Sequence, residues 1–400
     1  MERLETQWFY AEGRETYGPF PVAEMLRMAE AKQIGRETPV IGRGMTEWVI
    51  FKDSPLQELF ENERNKEAAR QTVRETRSFV GSAAEKISAM AGDEGPVKLS
   101  LGDIFSEVLK KHSKKESEQI FIVGTAKTTP DIKDISSEWP KPWLFFRVFM
   151  VFLLVYALLY FAAYLGNYFS LAGLIFAGSF AVPFSLVIFF FETNAPRNIS
   201  IFSVVRMFFI GGAAAILVTL FLYSTVSFNQ ITVTSALKIG LIEETGKLLI
   251  VAWFVSRMDV KFILNGLLIG AVIGAGFAAF ESAGYALRAL QDGTFLEVIF
   301  NRAWTSVGTH TIWTAIAGAA LVIVKQERPF SVGMLKQPRF LKFFAVAVAL
   351  HAVWDMPVFN SPVLKPAVLI CIGWLFVLVL INSGLRQVTR IVRAASENGE

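Results

Sequence analysis

A single cysteine, Cys371, occurs in 400 residues, so no intrachain disulfide can form. Histidine is almost as scarce: there are three, and two of them, His310 and His351, lie in apolar stretches. No apolar core follows Arg3, so no cleavable signal peptide is expected, and the N-terminal part is expected to stay cytoplasmic. The formal charge of +4 is small, which makes its distribution more informative than its size, and no nucleic-acid partner is expected. What the chain has in quantity is apolar sequence, 53% of all residues. The first 140 positions are nonetheless ordinary soluble sequence, whereas long apolar runs repeat from Trp143 onward. That contrast is the mark of a polytopic membrane protein.

A spanning helix needs about 20 mostly apolar residues. Segments near 143–165, 170–191, 202–224, 236–256, 262–287, 303–324, 340–358 and 363–383 satisfy this. The expected fold is therefore mainly α, a polytopic helical membrane bundle of about eight transmembrane helices with a small α+β N-terminal cytoplasmic domain. The expected division is a small domain at 1–60, a charged, partly helical linker at 61–140, the membrane domain at 141–390 and a tail at 391–400. Basic residues concentrate on alternate connections: Lys141, Arg147, Arg197, Arg257, Lys261, Lys325, Arg328, Lys336, Arg339, Lys342, Arg386, Arg390 and Arg393. Only Lys238, Arg288, Arg302 and Lys365 flank the other side, and this bias places both termini in the cytoplasm.

Against that apolar background stand Glu243, Glu244 and Glu281, with His310 and His351 in neighbouring spans. An ionisable group inside a bilayer costs roughly 2.5–3.5 kcal/mol, so each is a functional candidate. With the topology above, and a rise of about 1.5 Å per residue, all of them reach the outer half of the bilayer at similar depth. Structural polar residues scattered through a bundle have no reason to share a level.

Each segment has its own logic. In Glu243-Glu244-Thr245-Gly246-Lys247 the lysine lies one turn beyond both glutamates. One carboxylate can meet the ammonium while the other points elsewhere, because adjacent residues diverge by about 100°. Two adjacent carboxylates in a poorly hydrated site do not readily both ionise, which suits a base that takes a proton from water and returns it to a leaving amine. A buried ion pair that fixes helix register is the structural alternative. Gly274-Ala275-Gly276 permits close helix approach, and Phe277 shares a face with Glu281. Span six is expected to present Arg302, Ser306 and His310 at i, i+4 and i+8, with Thr309 and Trp313 beside them. In span seven Asp355 stands one turn beyond His351, where a carboxylate orients an imidazole, and Pro357 ends the helix.

The ordered set Glu-Glu-x-x-Lys at 243–247, Phe-x-x-x-Glu at 277–281 and His-x-x-x-Asp at 351–355 resembles the PrsW family of intramembrane proteases, which is related to the type II CAAX prenyl proteases. The resemblance covers most of 143–385. It implies a protease in the bacterial cytoplasmic membrane that cuts a membrane-anchored protein, an anti-sigma factor in the family's known case, on its extracytoplasmic side. The CAAX-type proteins carry a histidine where Glu281 stands, so a prenyl substrate is not implied.

Two mechanisms remain open. In the one we favour, which needs no cofactor, Glu243 activates water with Glu244 or Glu281 assisting, and His351 with Asp355 stabilises the oxyanion. In the other, His310, His351 and Glu281 hold zinc. Lys247, Phe277 and Arg302 are supporting residues in both. Outside proteolysis, a proton-coupled transporter would place such groups at the midplane and show an internal repeat, and a non-catalytic scaffold would keep its phenotype without them.

The N-terminal segment holds Trp8-Phe9-Tyr10, Tyr17-Gly18-Pro19-Phe20 and Gly44-Met45-Thr46-Glu47-Trp48, a pattern that resembles the bacterial GYF-like module. The resemblance implies a small α+β fold whose aromatic residues Trp8, Tyr17 and Trp48 bind a Pro-rich or extended peptide. Filling of a small core by Trp8 and Trp48 is the alternative. Of the linker, Glu61 to Met90 is helix-permissive with little apolar surface to bury, and His112 lies in a polar, inert run.

Overall fold

A two-residue connection with Gly13 at a φ of 64° turns β1 (Gln7–Glu12) back into β2 (Glu15–Pro21), a geometry that favours glycine. After α1 (Val22–Glu30), β3 (Pro39–Gly42) and β4 (Val49–Ile50) complete an antiparallel sheet of order β2-β1-β3-β4. This computed structural model describes residues 7–93, 95–226, 230, 232–358 and 361–397, so Arg3 and the last three positions of the tail lie outside the described residues. The chain divides into two compact units, one ending at Ser82 and one beginning at Ala83.

The core of the first unit is built from Trp8, Val22, Met25, Ile34, Val40, Phe51 and Leu56. Gly18 has a φ of 134°, and a Cβ there would stand 2.7 Å from the Phe9 ring, so the Tyr-Gly-Pro-Phe segment needs its glycine. Of the three aromatic residues expected on a peptide-binding surface, Tyr17 (37% exposed) and Trp48 (44%) are accessible, but Trp8 (5%) is not. Its ring packs over Gly42, where a Cβ would lie 3.1 Å from it. Tyr17 stacks on Tyr10 with ring centroids 5.0 Å apart.

The segment expected to be a linker is divided. Its first part belongs to one long helix, α2 (Pro55–Met90). The second, with the short helices α3 (Leu101–Phe105) and α4 (Lys114–Phe121), packs into the second unit, where Ile104, Val123 and Ile135 join the main core. These apolar residues lie far apart in the sequence, and each is buried against partners distant along the chain. His112 has a packing role there, stacked on Trp143 at 3.8 Å.

The membrane part comprises α5 (Leu144–Tyr164), α6 (Ser170–Thr193), α7 (Ile201–Arg206) joined by a π turn at Met207–Gly211 to α8 (Gly212–Tyr223), α9 (Val233–Arg257), α10 (Ile263–Ala289), α11 (Phe295–Thr305), α12 (His310–Lys325), α13 (Pro338–Asp355) and α14 (Leu364–Glu397). Among the described residues, six helical segments are long and apolar enough to cross a membrane, and the chain is a multi-pass membrane protein. The two remaining expected spans, α9 and α13, carry Glu243, Glu244, Lys247, His351 and Asp355, and these groups depress their hydropathy.

Helix α10 is the buried axis of the bundle. Its Gly266, Gly270 and Gly274, one turn apart, meet the backbone of α12: added Cβ atoms would lie 2.5, 2.2 and 2.3 Å from the carbonyl oxygens of Gly318, Thr314 and His310. Glycine at this interval lets two helices approach to backbone contact, and it fixes His310 against α10. Span six is not the continuous helix expected. Ser306–Gly308 forms a 3₁₀ turn, and Thr309 (φ −104°, ψ −128°) breaks the chain before α12 starts at His310. Arg302 and His310 therefore stand on separate helices rather than one face of a single helix.

Candidate active site

Four helices bring the expected groups together. From α9, Glu244 and Lys247 make the buried pair that the i, i+3 spacing allows, with Nζ donating to Glu244 Oε1 at 2.6 Å; Glu243 Oε2 is 3.9 Å away. Lys247 is fully buried, lies 4.6 Å over the Phe277 ring, and donates to His310 Nδ1 at 2.8 Å. A lysine in such a place is tolerable only because every side of it has a partner.

From α13, His351 donates through Nδ1 to Glu244 Oε1 at 2.8 Å. Its Nε2 is 3.6 Å from Glu243 Oε2 and 3.5 Å from Asp355 Oδ2, and the ring stacks on Trp313 at 4.6 Å. From α12, His310 donates through Nε2 to Glu281 Oε2 at 3.1 Å. Glu281, on α10, also accepts from Arg302 of α11, whose Nε donates to Ser282 Oγ at 3.0 Å. Rings of His310 and His351 are 5.0 Å apart. Every catalytic and supporting residue expected from the sequence thus falls in one cluster.

Two features were not anticipated. Tyr223, the last residue of α8, donates its hydroxyl to Glu243 Oε1 at 2.9 Å. One tyrosine at the end of an apolar span carries no distinguishing mark; its only signal is that it ends at the level of the glutamates. Arg302 was expected to share a helix with His310, and it reaches the cluster from the short helix before the break instead. The cluster borders a cavity of about 180 Å³ whose walls include Tyr223, Glu243, Glu281, Arg302, His351 and Asp355. Glu243 Oε2 and Glu244 Oε2 are buried and have no hydrogen-bond partner.

The residues also fit a small divalent cation. Donor atoms of Glu243, His310 and His351 lie within 4.8 Å of one another. This set differs from the one expected for zinc in having Glu243 where Glu281 was expected, because Glu281 is engaged by Arg302 and His310. The orphaned Glu243 Oε2 points to the same place, and His351 is oriented by a carboxylate on its far nitrogen, as metal-ligating histidines are. The four carboxylates Glu243, Glu244, Glu281 and Asp355 outnumber the permanent cations Lys247 and Arg302, which leaves an excess of negative charge when both imidazoles are neutral. His310 is the least available donor, since both its ring nitrogens are already engaged.

Ionisable residues gathered inside a bundle of apolar helices mark a functional site within the membrane. Residues 199–381 match the family model described as PrsW family intramembrane metalloprotease, and residues 8–55 match GYF domain 2. Residues 199–381 thus form a PrsW-family domain and residues 8–55 a GYF-like domain, and the first of these supports intramembrane proteolysis. Neither the curated proteins nor the solved structures gave a match.

Proposed function

We propose that this protein is an intramembrane endopeptidase that hydrolyses a peptide bond of a membrane-anchored protein, with Glu243 as the base that activates water. The observation that carries the proposal is Glu243 Oε2, a buried carboxylate oxygen on the cavity wall that has no hydrogen-bond partner while its Oε1 is held by Tyr223. Such an oxygen is ready to accept a proton from a water in the cavity. As that proton leaves, the water oxygen bonds to the scissile carbonyl carbon. In this mechanism His351 is the imidazolium, anchored through Nδ1–H on Glu244 and flanked by Asp355, and presents Nε2–H to the developing oxyanion. Collapse breaks the C–N bond, and Glu243 returns its proton to the departing amine. Lys247 holds Glu244 in place, and Glu281 with Arg302 holds His310 on the opposite wall.

Orientation follows from charge. The basic connections at Lys261, Lys325, Arg328, Arg339 and Arg386 lie at the ends of α10, α12, α13 and α14 remote from the cavity. Placing them and both termini in the cytoplasm of a bacterial inner membrane puts the cavity toward the extracytoplasmic face. The substrate is then a membrane-anchored protein of the anti-sigma-factor type, cut near that face. The GYF-like domain, with Tyr17 and Trp48 exposed, captures a Pro-rich or extended segment in the cytoplasmic tail of that substrate. Deleting residues 1–60 is expected to raise the substrate concentration required while sparing turnover of a short reporter; loss of both removes the tethering role.

A second reading rests on the proximity of the donor atoms of Glu243, His310 and His351. These residues would hold a zinc-type ion, which supplies Lewis-acid polarisation and a more acidic bound water. Purified protein is expected to keep turning over substrate after exhaustive chelation, with zinc far below one equivalent. Stoichiometric zinc whose removal abolishes turnover replaces the glutamate mechanism by the metal one.

A further inference from the structure

Helices α10, α12 and α13 each have a second polar end, and the proposed reaction uses none of it. Where α10 and α13 begin and α12 finishes, two open cavities of about 560 Å³ and about 610 Å³ share Ile323, Gln326, Arg328 and Arg339 as walls. Lys342 lines the first, and Ile263 lines the second. From Ile263 to Glu281 is 18 residues of α10, so these cavities lie roughly 27 Å along the helix from the catalytic carboxylates.

The basic residues at this end fall into two groups. Arg386 and Arg390 are engaged with the buried Asp93 at 3.2 and 3.1 Å, and Lys261 with Glu327 at 3.1 Å. Arg328, Arg339 and Lys342 have no carboxylate within ion-pair distance among the described residues; Arg328 donates to the Val324 carbonyl at 2.7 Å. Gly92 makes room for the Arg339 head: a Cβ on that glycine would stand 2.7 Å from Nη1. Three cations with uncommitted donors thus surround cavities whose remaining walls include the apolar side chains of Ile263 and Ile323.

We propose that these cavities bind the phosphate of an anionic phospholipid headgroup, held by Arg328, Arg339 and Lys342. A guanidinium pair and an ammonium supply the charge and the planar donor forks that phosphate oxygens accept. Isoleucine walls on membrane-spanning helices give the glycerol and first acyl carbons an apolar surface, which a free phosphate does not need. In the orientation proposed above the site faces the cytoplasmic leaflet, where anionic headgroups attract basic clusters beside membrane helices.

The test uses the full chain, purified in neutral detergent and offered phosphatidylglycerol and phosphatidylcholine, with bound lipid counted by native mass spectrometry. Wild-type protein is expected to retain phosphatidylglycerol in preference. The triple variant Arg328→Gln, Arg339→Gln, Lys342→Gln is expected to lose on the order of a hundredfold in that preference, from three surface-charge contributions. Lys336→Gln, an equal change of charge per residue on a side chain outside both cavities, is expected to leave it intact. Should the triple variant lose helicity, Arg328→Gln and Lys342→Gln are measured singly, each with a partial loss expected. Glycerol phosphate at millimolar concentration is expected not to displace the lipid; displacement would show that phosphate alone is recognised and would remove the lipid from the proposal. Equal retention of the two lipids by wild-type protein, or undiminished preference in the variants, overturns it.

Discussion

At the end of the bundle where α10 begins, the buried charged groups and most buried amides are paired, although Asn382 Nδ2 and Ser383 Oγ have no hydrogen-bond partner there. Glu192 of α6 accepts the first amide hydrogens of α5, from Trp143, Leu144 and Phe145, at 3.0, 3.0 and 2.9 Å. Asn265 donates to Asn194 and Asn198 at 2.9 and 2.7 Å, and Lys325 donates to the Val260 carbonyl at 2.8 Å. Gln387 bridges the start of α10, accepting from Ile263 N and donating to Lys261 O. At the other end, Glu243 Oε2 and Glu244 Oε2 are the only buried carboxylate oxygens without a hydrogen-bond partner among the described residues. Leaving a buried acceptor unsatisfied costs about 1–3 kcal/mol, and more when it is charged. One end is arranged for structure; the other keeps acceptors in reserve, and that reserve is the support for placing the chemistry there.

The sharpest way to break this comparison is Glu243→Gln. The amide keeps the size and the contact with Tyr223 but removes the base, so turnover is expected to fall about 10²–10⁴-fold with the thermal unfolding curve unchanged. A variant that loses its fold instead would make Glu243 a structural residue. Its neighbour is expected to behave oppositely in stability. Glu244 accepts from both Lys247 and His351 in a fully buried setting. Removing that charge in Glu244→Gln strands the lysine, a loss of about 3–5 kcal/mol, which denaturant titration in detergent reads directly. Similar stability for the two variants would erase the distinction between a reserved carboxylate and a paired one.

At the structural end the expected effects are smaller. Glu192→Ala strips the cap from α5, at a cost of about 2 kcal/mol, the upper part of the range for capping residues. Activity per folded molecule should be unaffected, and a change in kcat at constant stability would show that the two ends are coupled.

Much of this arrangement is legible in the chain itself, and the parts that are not have physical reasons. The helical segments and the shared level of Glu243, Glu281, His310 and His351 follow from apolar length and helix rise, which are local properties. The pairing of Lys247 with Glu244 follows from i, i+3 spacing. The break at Thr309 does not, because Ser306-Val307-Gly308-Thr309 sits in a run apolar enough to continue as helix, and it is tertiary packing of α12 on the glycines of α10 that sets where the new helix starts. Nor does the burial of Ile104, Val123 and Ile135, whose partners lie far along the sequence. Trp8 illustrates the same limit in the small domain: its neighbours in sequence suggest a surface, while the strand pairing of Trp8 with Gly42 turns the ring inward.

The least drastic test concerns the residue the sequence did not single out. Tyr223→Phe deletes the hydroxyl that donates to Glu243 Oε1 and leaves the ring in place. Tyr223 is only half-buried, so water can take over part of the lost contact, and the expected cost is roughly 1 kcal/mol. If the hydroxyl serves to aim Glu243, that cost falls on the transition state: kcat drops about fivefold while KM and stability stay level. If instead the tyrosine binds substrate, KM rises and kcat holds. If it only packs, the unfolding midpoint moves and neither kinetic constant does. The split between these three readouts decides whether the reserve at Glu243 includes its orientation or just its vacant oxygen.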